Sequence, residues 1–568
     1  MAMYEKKFLD ELRAIYEEWE KKHAEEFKAE RKKEFRTQDS GIPVKRLYTP
    51  LDLEERGFDY LKDLGVPGEY PYTRGLTSTM YRGMPWGITQ YFGRPTPEEC
   101  NKLWKSQVAA GARMVSVAYD LPSQVGLDPD HPKAQGEVGR IGVSMSSQKD
   151  WEIGLDGIDI RTVGMYGAFN APAIISLAAH INIGETQGIS QQDLPGLLQN
   201  DILKEFTARG NYIFPVAQSM RLTGDILYYT GTYMPRYGAM TVCSAHLTEK
   251  GANSVHEAAL SIGEAIAFIQ TAVDMGVDVD VVAPGITFLT GGRHWRFFEE
   301  IAKHRAMRRV YAKVLRDRFK AKKPASLMLR IYMAQGGLDL HREQYLNNLG
   351  RSALAALVGA FAGAQLIDLR CFDEQFGIPS DEATLYSIRI NNMVLRETGV
   401  ADTVDPLAGS YFIESLTSDM EERIWEALGE IDKRGGIIRC IETGYAQRLM
   451  AQDAYEYQRK IESGEMERVG VNVFRSEKEE GKPARVYRAD PKVEEIRRTQ
   501  VAELKKKRDN AKVKKALEEL KIAAKTEAKP ENCLIPPVRE ACTCYATVGE
   551  ICDALREVWG EYKEPSIF

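Results

Sequence analysis

Cysteine is sparse in this chain: eight residues in 568, too few for a disulfide scaffold. Four of them, Cys533, Cys542, Cys544 and Cys552, fall within the last 36 residues. Cys542-Thr-Cys544 has no second pair at zinc-ligand spacing and no histidine nearby, so free thiols are expected rather than a metal site. No run of about 18 apolar residues occurs, which leaves no candidate membrane-spanning helix. The opening residues, Met-Ala-Met-Tyr-Glu-Lys-Lys, lack an apolar signal region, and a cytoplasmic protein is expected. Neither charge dominates: 76 basic residues against 82 acidic ones give a net charge of -6, which argues against nucleic acid as the main partner. No repeat with a period of about 20 to 50 residues is present, which excludes a solenoid.

What is present is an ordinary globular composition, 43% hydrophobic and 28% charged, in a chain long enough for about two to four domains. Residues 4–36 read as a charged helical arm with Phe8, Leu9, Leu12, Ile15, Tyr16 and Trp19 on one face. From about 85 to 410, strand-like runs (114–118, 162–166, 239–243, 286–289, 327–331 and 365–369) alternate with amphipathic runs (97–107, 194–209, 254–275 and 297–320). That alternation predicts a parallel α/β architecture, and its length suits a (β/α)8 TIM barrel with insertions. A doubly wound sheet is the competitor, but no Gly-x-Gly-x-x-Gly follows the early strands. The expected organisation is an arm over 1–44, a barrel over 45–415 and helices packing on it over 416–475. Residues 476–568 complete the chain as a charged linker and a C-terminal amphipathic helix.

Gly68-Glu-Tyr-Pro-Tyr-Thr-Arg-Gly75 and Thr79-Met-Tyr-Arg-Gly83 combine glycine, aromatics and arginine without helical or strand period, which suits a segment lining a site. Further along stand Tyr119-Asp-Leu-Pro, Asp128-Pro-Asp-His-Pro132, Gly136-Glu-Val-Gly139, Gln199-Asn-Asp-Ile-Leu-Lys-Glu205, Ser219-Met-Arg221 and Asp402-Thr-Val-Asp-Pro-Leu-Ala-Gly-Ser410. In this order the motifs resemble the large subunit of adenosylcobalamin-dependent acyl-CoA mutases, the methylmalonyl-CoA mutase family, over about residues 45–475.

The resemblance implies radical isomerisation of a carboxylated acyl-CoA such as methylmalonyl-CoA or succinyl-CoA, with adenosylcobalamin as cofactor. It implies catalytic roles for Tyr91, His246 and Gln199: an aromatic wedge, a donor to the thioester carbonyl and a substrate-side amide. It implies substrate binding by Arg209, Tyr81, Ser116, Gln365 and Arg370, with Arg209 forking onto a free carboxylate. Glu249, Glu374 and Tyr119 are the implied cofactor-side residues, the two acids accepting from ribose hydroxyls. No Asp-x-His-x-x-Gly occurs, so the cobalt ligand is expected on a separate small cobalamin-binding subunit, in a heterodimer or heterotetramer. The arm and the charged tail are docking elements in that reading, or else wrap their own barrel.

The chain also departs from the family pattern. Met84, Gly87, Thr89, Gly285, Ala245, Tyr332 and Ala334 stand where the family has basic, polar or aromatic groups, and Arg370 replaces an asparagine. Each lost phosphate contact is worth roughly 1.5–3 kcal/mol. Arg293, Arg296 and Arg370 are the candidate replacements, while Gly87 and Ala245 are expected to enlarge the cavity. The alternatives are the same chemistry on a bulkier or non-CoA substrate, or a non-catalytic barrel that scaffolds a cobalamin protein.

Overall fold

The computed structural model describes residues 3–91, 93–109, 112–476 and 490–564. Its centre is a set of parallel strands: β1 (Gly87–Thr89), β2 (Met114–Ala118), β3 (Gly164–Ala168), β4 (Gly196–Gln199), β5 (Tyr237–Gly238), β6 (Met240–Val242), β7 (Ile286–Gly291), β8 (Arg330–Ala334) and β9 (Leu366–Asp368). One sheet runs β1-β9-β8-β7-β6 and the other β2-β3-β4-β5, every pair parallel. β5 and β6 are two halves of one run interrupted at Ala239, so the order is a ring of eight strand positions, the cyclic order of a (β/α)8 barrel. Among the described residues no ladder joins β1 to β2; Thr89 Oγ1 and Ser116 Oγ meet there at 3.5 Å.

The strands are rich in Met, Val, Ile and Leu because a parallel sheet covered by helices is buried on both faces. On the inner face Tyr166, Leu197, Cys243, Leu289, Tyr332 and Ala334 form one cluster. On the outer face the strands pack under helices such as Pro97–Ala109, Ala173–Thr186, Ser254–Asp274 and Phe297–Lys313.

Three expectations shift. Residues 194–209 are not one helix: Gly196 starts β4 directly after Pro195 and only 203–209 turn helically, since a short buried apolar run suits either element by periodicity alone. The strand expected at 327–331 begins at Arg330, because Pro324 opens a helical turn, Pro324–Leu327. The arm helix covers Lys6–Phe27 rather than 4–36, since the chain doubles back through a bridge between Arg36 and Pro43. Only Leu9 of that helix is buried, and Phe8 and Ile15 are exposed.

The C-terminal extension wraps its own barrel. Arg221 donates to the carbonyls of Ala523, Ala524 and Thr526, satisfying the end of helix Asn510–Ala524. Asp128 accepts from Thr547 Oγ1 (2.6 Å) and Gly549 N (2.9 Å), holding helix Val548–Trp559. Arg497 pairs with Asp150 at 2.7 Å, tying down helix Val493–Lys507. Part of the expected linker, residues 477–489, lies outside the described residues. All eight cysteines are free thiols. No helix among the described residues is long and apolar enough to cross a membrane.

Candidate active site

The C-terminal ends of parallel strands collect the polar residues of this ring, as expected for a barrel of this class. A cavity of about 700 Å³ opens there, lined by Tyr91, Ala118, Arg140, Asp368, Arg370 and Glu374 among others. Tyr91 follows β1 and stands edge-on to Tyr166 at 6.2 Å. Gln199, the last residue of β4, is fixed on both sides: it accepts from the Tyr166 hydroxyl at 2.7 Å and donates to Asn170 Oδ1 at 3.1 Å. An amide held this way offers little rotational freedom, so its remaining hydrogen-bonding capacity is aimed.

β6 leads to His246. Asp201, just past β4, accepts the Cys243 N–H at 2.6 Å and so sets where the chain leaves the strand. Helix Ser244–Lys250 begins at once, and Ser244 Oγ donates to Glu257 Oε1 at 2.9 Å. His246 is then left with a buried Nδ1 that has no partner among the described residues. Burial holds its pKa well below the ordinary value, and the charges of Lys204, Arg209 and Arg370 push the same way. The ring is neutral at physiological pH, with one nitrogen free to donate or accept toward a ligand.

Arg209 ends a single wide turn, Glu205–Arg209, which starts six residues past Gln199. Its guanidinium lies 3.5 Å from Glu205 and is about a quarter exposed. Its charge acts on both the Tyr91 hydroxyl and the His246 ring, as does that of Arg370. Arg370 follows β9 and donates from Nε to the Gln335 carbonyl at 3.1 Å, with Asp368 at 3.6 Å and Glu374 at 3.7 Å. Asp368 in turn accepts from the Tyr332 hydroxyl at 3.3 Å, and burial pushes its pKa up to about 6. Glu249 sits at the rim, accepting from Leu338 N at 3.3 Å and facing Arg293 at 3.7 Å.

The family model for methylmalonyl-CoA mutase matches residues 37–561. The chain belongs to the methylmalonyl-CoA mutase family. With that membership it is an enzyme of the isomerase class. The 2-hydroxyisobutanoyl-CoA mutase large subunit of Aquincola tertiaricarbonis is 36% identical over 571 residues, covering 100% of both chains. Methylmalonyl-CoA mutase of Rhizobium meliloti is 36% identical over 92% of this chain and 72% of its own length. The mitochondrial methylmalonyl-CoA mutase of Homo sapiens is 35% identical over 92% of this chain and 68% of its own length.

Set against the family reading, the structure brings Tyr91, Gln199, Arg209, His246, Arg370, Glu249 and Glu374 to the C-terminal side of the ring. Tyr119, directly after β2, lies at that side too, but Tyr81, Ser116 and Gln365 are not among them. The Tyr81 hydroxyl donates to the Ala364 carbonyl at 2.7 Å, ahead of β9 and therefore at the opposite end. Gln365 is bound at that end too, accepting from Ile331 N at 2.7 Å and donating to Gly363 O at 2.8 Å. Ser116 lies mid-strand at the β1/β2 seam. Tyr119 packs into the core: it stacks on Phe169 at 3.9 Å and its hydroxyl meets Ser176 at 2.8 Å.

Two of the replacement arginines are also spoken for. Arg296 is buried against Asp39, Glu257 and Glu300, and Arg293 against Asp339 at 3.4 Å, leaving only Arg370 on the cavity. Gly87 does not enlarge the cavity, because a Cβ there would meet Leu366 at 2.4 Å; leucine has taken the space. Sequence reasoning missed Arg140, Asp368, Tyr166 and Asn170. Only the position of Asp368 and Tyr166 on strand runs signalled that they face the interior.

Proposed function

We propose that this chain is the large, catalytic subunit of an adenosylcobalamin-dependent carbon-skeleton mutase acting on a carboxylated acyl thioester of the methylmalonyl-CoA/succinyl-CoA kind. The observation that carries it is the convergence of a neutral His246 with an unpartnered Nδ1, the Arg209 fork and Tyr91 at one mouth of the ring. When bound, adenosylcobalamin supplies homolytic, one-electron chemistry that no side chain can provide.

The chain's own residues do the rest. Arg209 takes the free carboxylate of the acyl group through charge-assisted hydrogen bonds. His246, kept neutral, donates to the thioester carbonyl where charge builds during rearrangement, and it needs fixed placement rather than proton transfer. Gln199 orients the same end of the substrate from its locked position between Tyr166 and Asn170. Tyr91 fills the wall above and keeps water away. Glu249 and Glu374, both at the open rim, suit the ribose hydroxyls of the adenosyl group because ionised carboxylates accept only. A small cobalamin-binding subunit covers this face in a heterodimer or heterotetramer, and the assembly works in the cytoplasm.

A second reading, the same chemistry on a bulkier or non-CoA substrate, draws support from Arg293 and Arg296 being locked into internal ion pairs. The scaffold reading is disfavoured, since a non-catalytic barrel has no use for a buried imidazole with an unpartnered nitrogen set within the fields of Arg209 and Arg370. The test is anaerobic turnover of the chain with its cobalamin subunit and adenosylcobalamin, read by product mass. Isomerisation of methylmalonyl-CoA supports the first reading. Cobalamin uptake without any binding of CoA esters sinks it and leaves the second.

A further inference from the structure

Glu205 is an acid with no outlet to solvent. Its side chain and that of Lys204 are fully buried, and their charges meet at 2.9 Å. A buried carboxylate is costly unless it is paired and hydrogen-bonded on both oxygens. Here Oε2 accepts the Asn211 N–H at 3.0 Å, across the end of the wide turn. Oε1 faces Lys204 Nζ at 2.9 Å and Arg209 NH1 at 3.5 Å, ion-pair contacts without hydrogen-bond geometry that leave this oxygen unbonded among the described residues. The same carboxylate thus touches the start of the turn, its last residue and the backbone just beyond. Gly210, at φ +92°, lets the chain reverse there as a bulkier residue would not.

This arrangement matters because Arg209 is the one member of the cluster that reaches solvent. A guanidinium has five N–H donors in a planar fork, and the long contact to Glu205 engages only one edge. The remaining donors are free, on a side chain that is about a quarter exposed. Without the carboxylate, a long side chain carrying about 2 kcal/mol of rotamer entropy has nothing to fix its direction.

We infer that Glu205 is the positioning residue that aims Arg209 at the substrate carboxylate and so sets the preference for acidic acyl groups. The inference rests on the carboxylate reading of Arg209 in the proposed function. Glu205 touches no substrate; it acts through Arg209.

The test is a double-mutant cycle on the full chain: wild type, E205Q, R209M and the double variant. Calorimetric titration with methylmalonyl-CoA and 2-hydroxyisobutanoyl-CoA gives the preference for the carboxylated ester in each protein. E205Q is expected to lower that preference about tenfold in the wild-type background and less than twofold in the R209M background. E205D, which keeps the charge, restores most of the loss, and thermal melts establish that all variants are folded. An equal loss from E205Q in both backgrounds, or none in either while R209M alone abolishes the preference, overturns the inference. A preference untouched by R209M removes the carboxylate reading itself, and the inference falls with it.

Discussion

Two of the clusters of buried charge among the described residues are built differently. Beneath β7, Arg296 and Lys303 are enclosed by Asp39, Glu257 and Glu300, with Ser244 and Gly291 also bonded to Glu257. Every charge there is answered by an internal partner, and none is left for a ligand. Beyond β4, Lys204, Glu205 and Arg209 form a chain whose last member is a quarter exposed and loosely held. The first cluster is a closed structural knot and the second is an open one. An arginine near a site is therefore no evidence of a ligand contact until its donors have been counted.

Breaking the closed cluster is expected to have the largest effect. R296M leaves Asp39 without its cation and the buried Glu257 and Glu300 with Lys303 alone, and should destabilise the fold by about 3–5 kcal/mol. A shift of the urea midpoint with unchanged slope measures it; a midpoint within error of wild type would mean the cluster is not tight. H246A tests the site itself. Removing one preorganised donor is expected to lower kcat about 10²- to 10³-fold with the melting temperature nearly unchanged. Because burial holds the His246 pKa well below its ordinary value, the wild-type rate should show no imidazole limb between about pH 6 and 8. A limb that vanishes in H246Q would contradict the neutral-ring account.

R209M sharpens the comparison from the open side. Losing a charged hydrogen-bonding partner of the carboxylate is worth roughly 1.5–3 kcal/mol, so kcat/KM for a carboxylated ester should fall about 10- to 150-fold with little change in unfolding. The smallest effect is expected at Asp225, under the C-terminal extension. It accepts from Leu534 N at 3.1 Å through one oxygen, the other has no partner, and burial pushes its pKa up to about 7. A carboxyl whose folded pKa is raised favours the native state at acid pH and loses that contribution as pH rises through about 7. D225N should therefore raise the melting temperature by roughly 2 °C at pH 8 and have less effect at pH 5. Equal shifts at both pH values would mean that Asp225 stays ionised throughout.

The sequence announced the α/β alternation and the motif order well, and the local physics explains where it stopped. β7 and the helix Ser254–Asp274 were legible because long apolar and amphipathic runs leave one interpretation. β4 was not, since four residues after Pro195 fit a helix or a strand equally until neighbours supply the ladder. His246, Gln199 and Arg209 stood in motifs that carry the resemblance, His246 despite Ala245 before it, and they lie at or past the C-terminal ends of β4 and β6. Tyr81 and Tyr119 stood in equally well-kept motifs, yet their hydroxyls serve the Ala364 carbonyl and Ser176. A motif preserves a residue for its packing as readily as for its chemistry. Gly87 carries the same lesson in reverse: a small residue suggested space, but Leu366 from the paired strand fills it.

The most direct test of the central claim, that Arg209 and a neutral His246 form a site for an acidic acyl group, is a paired titration. Methylmalonyl-CoA carries the carboxylate that Arg209 is proposed to read, where 2-hydroxyisobutanoyl-CoA carries a methyl group and a hydroxyl. The account predicts at least tenfold tighter binding of the carboxylated ester to the wild-type chain, and loss of that margin in R209M. Equal binding of the two esters by wild type, or a margin that survives in R209M, would contradict it.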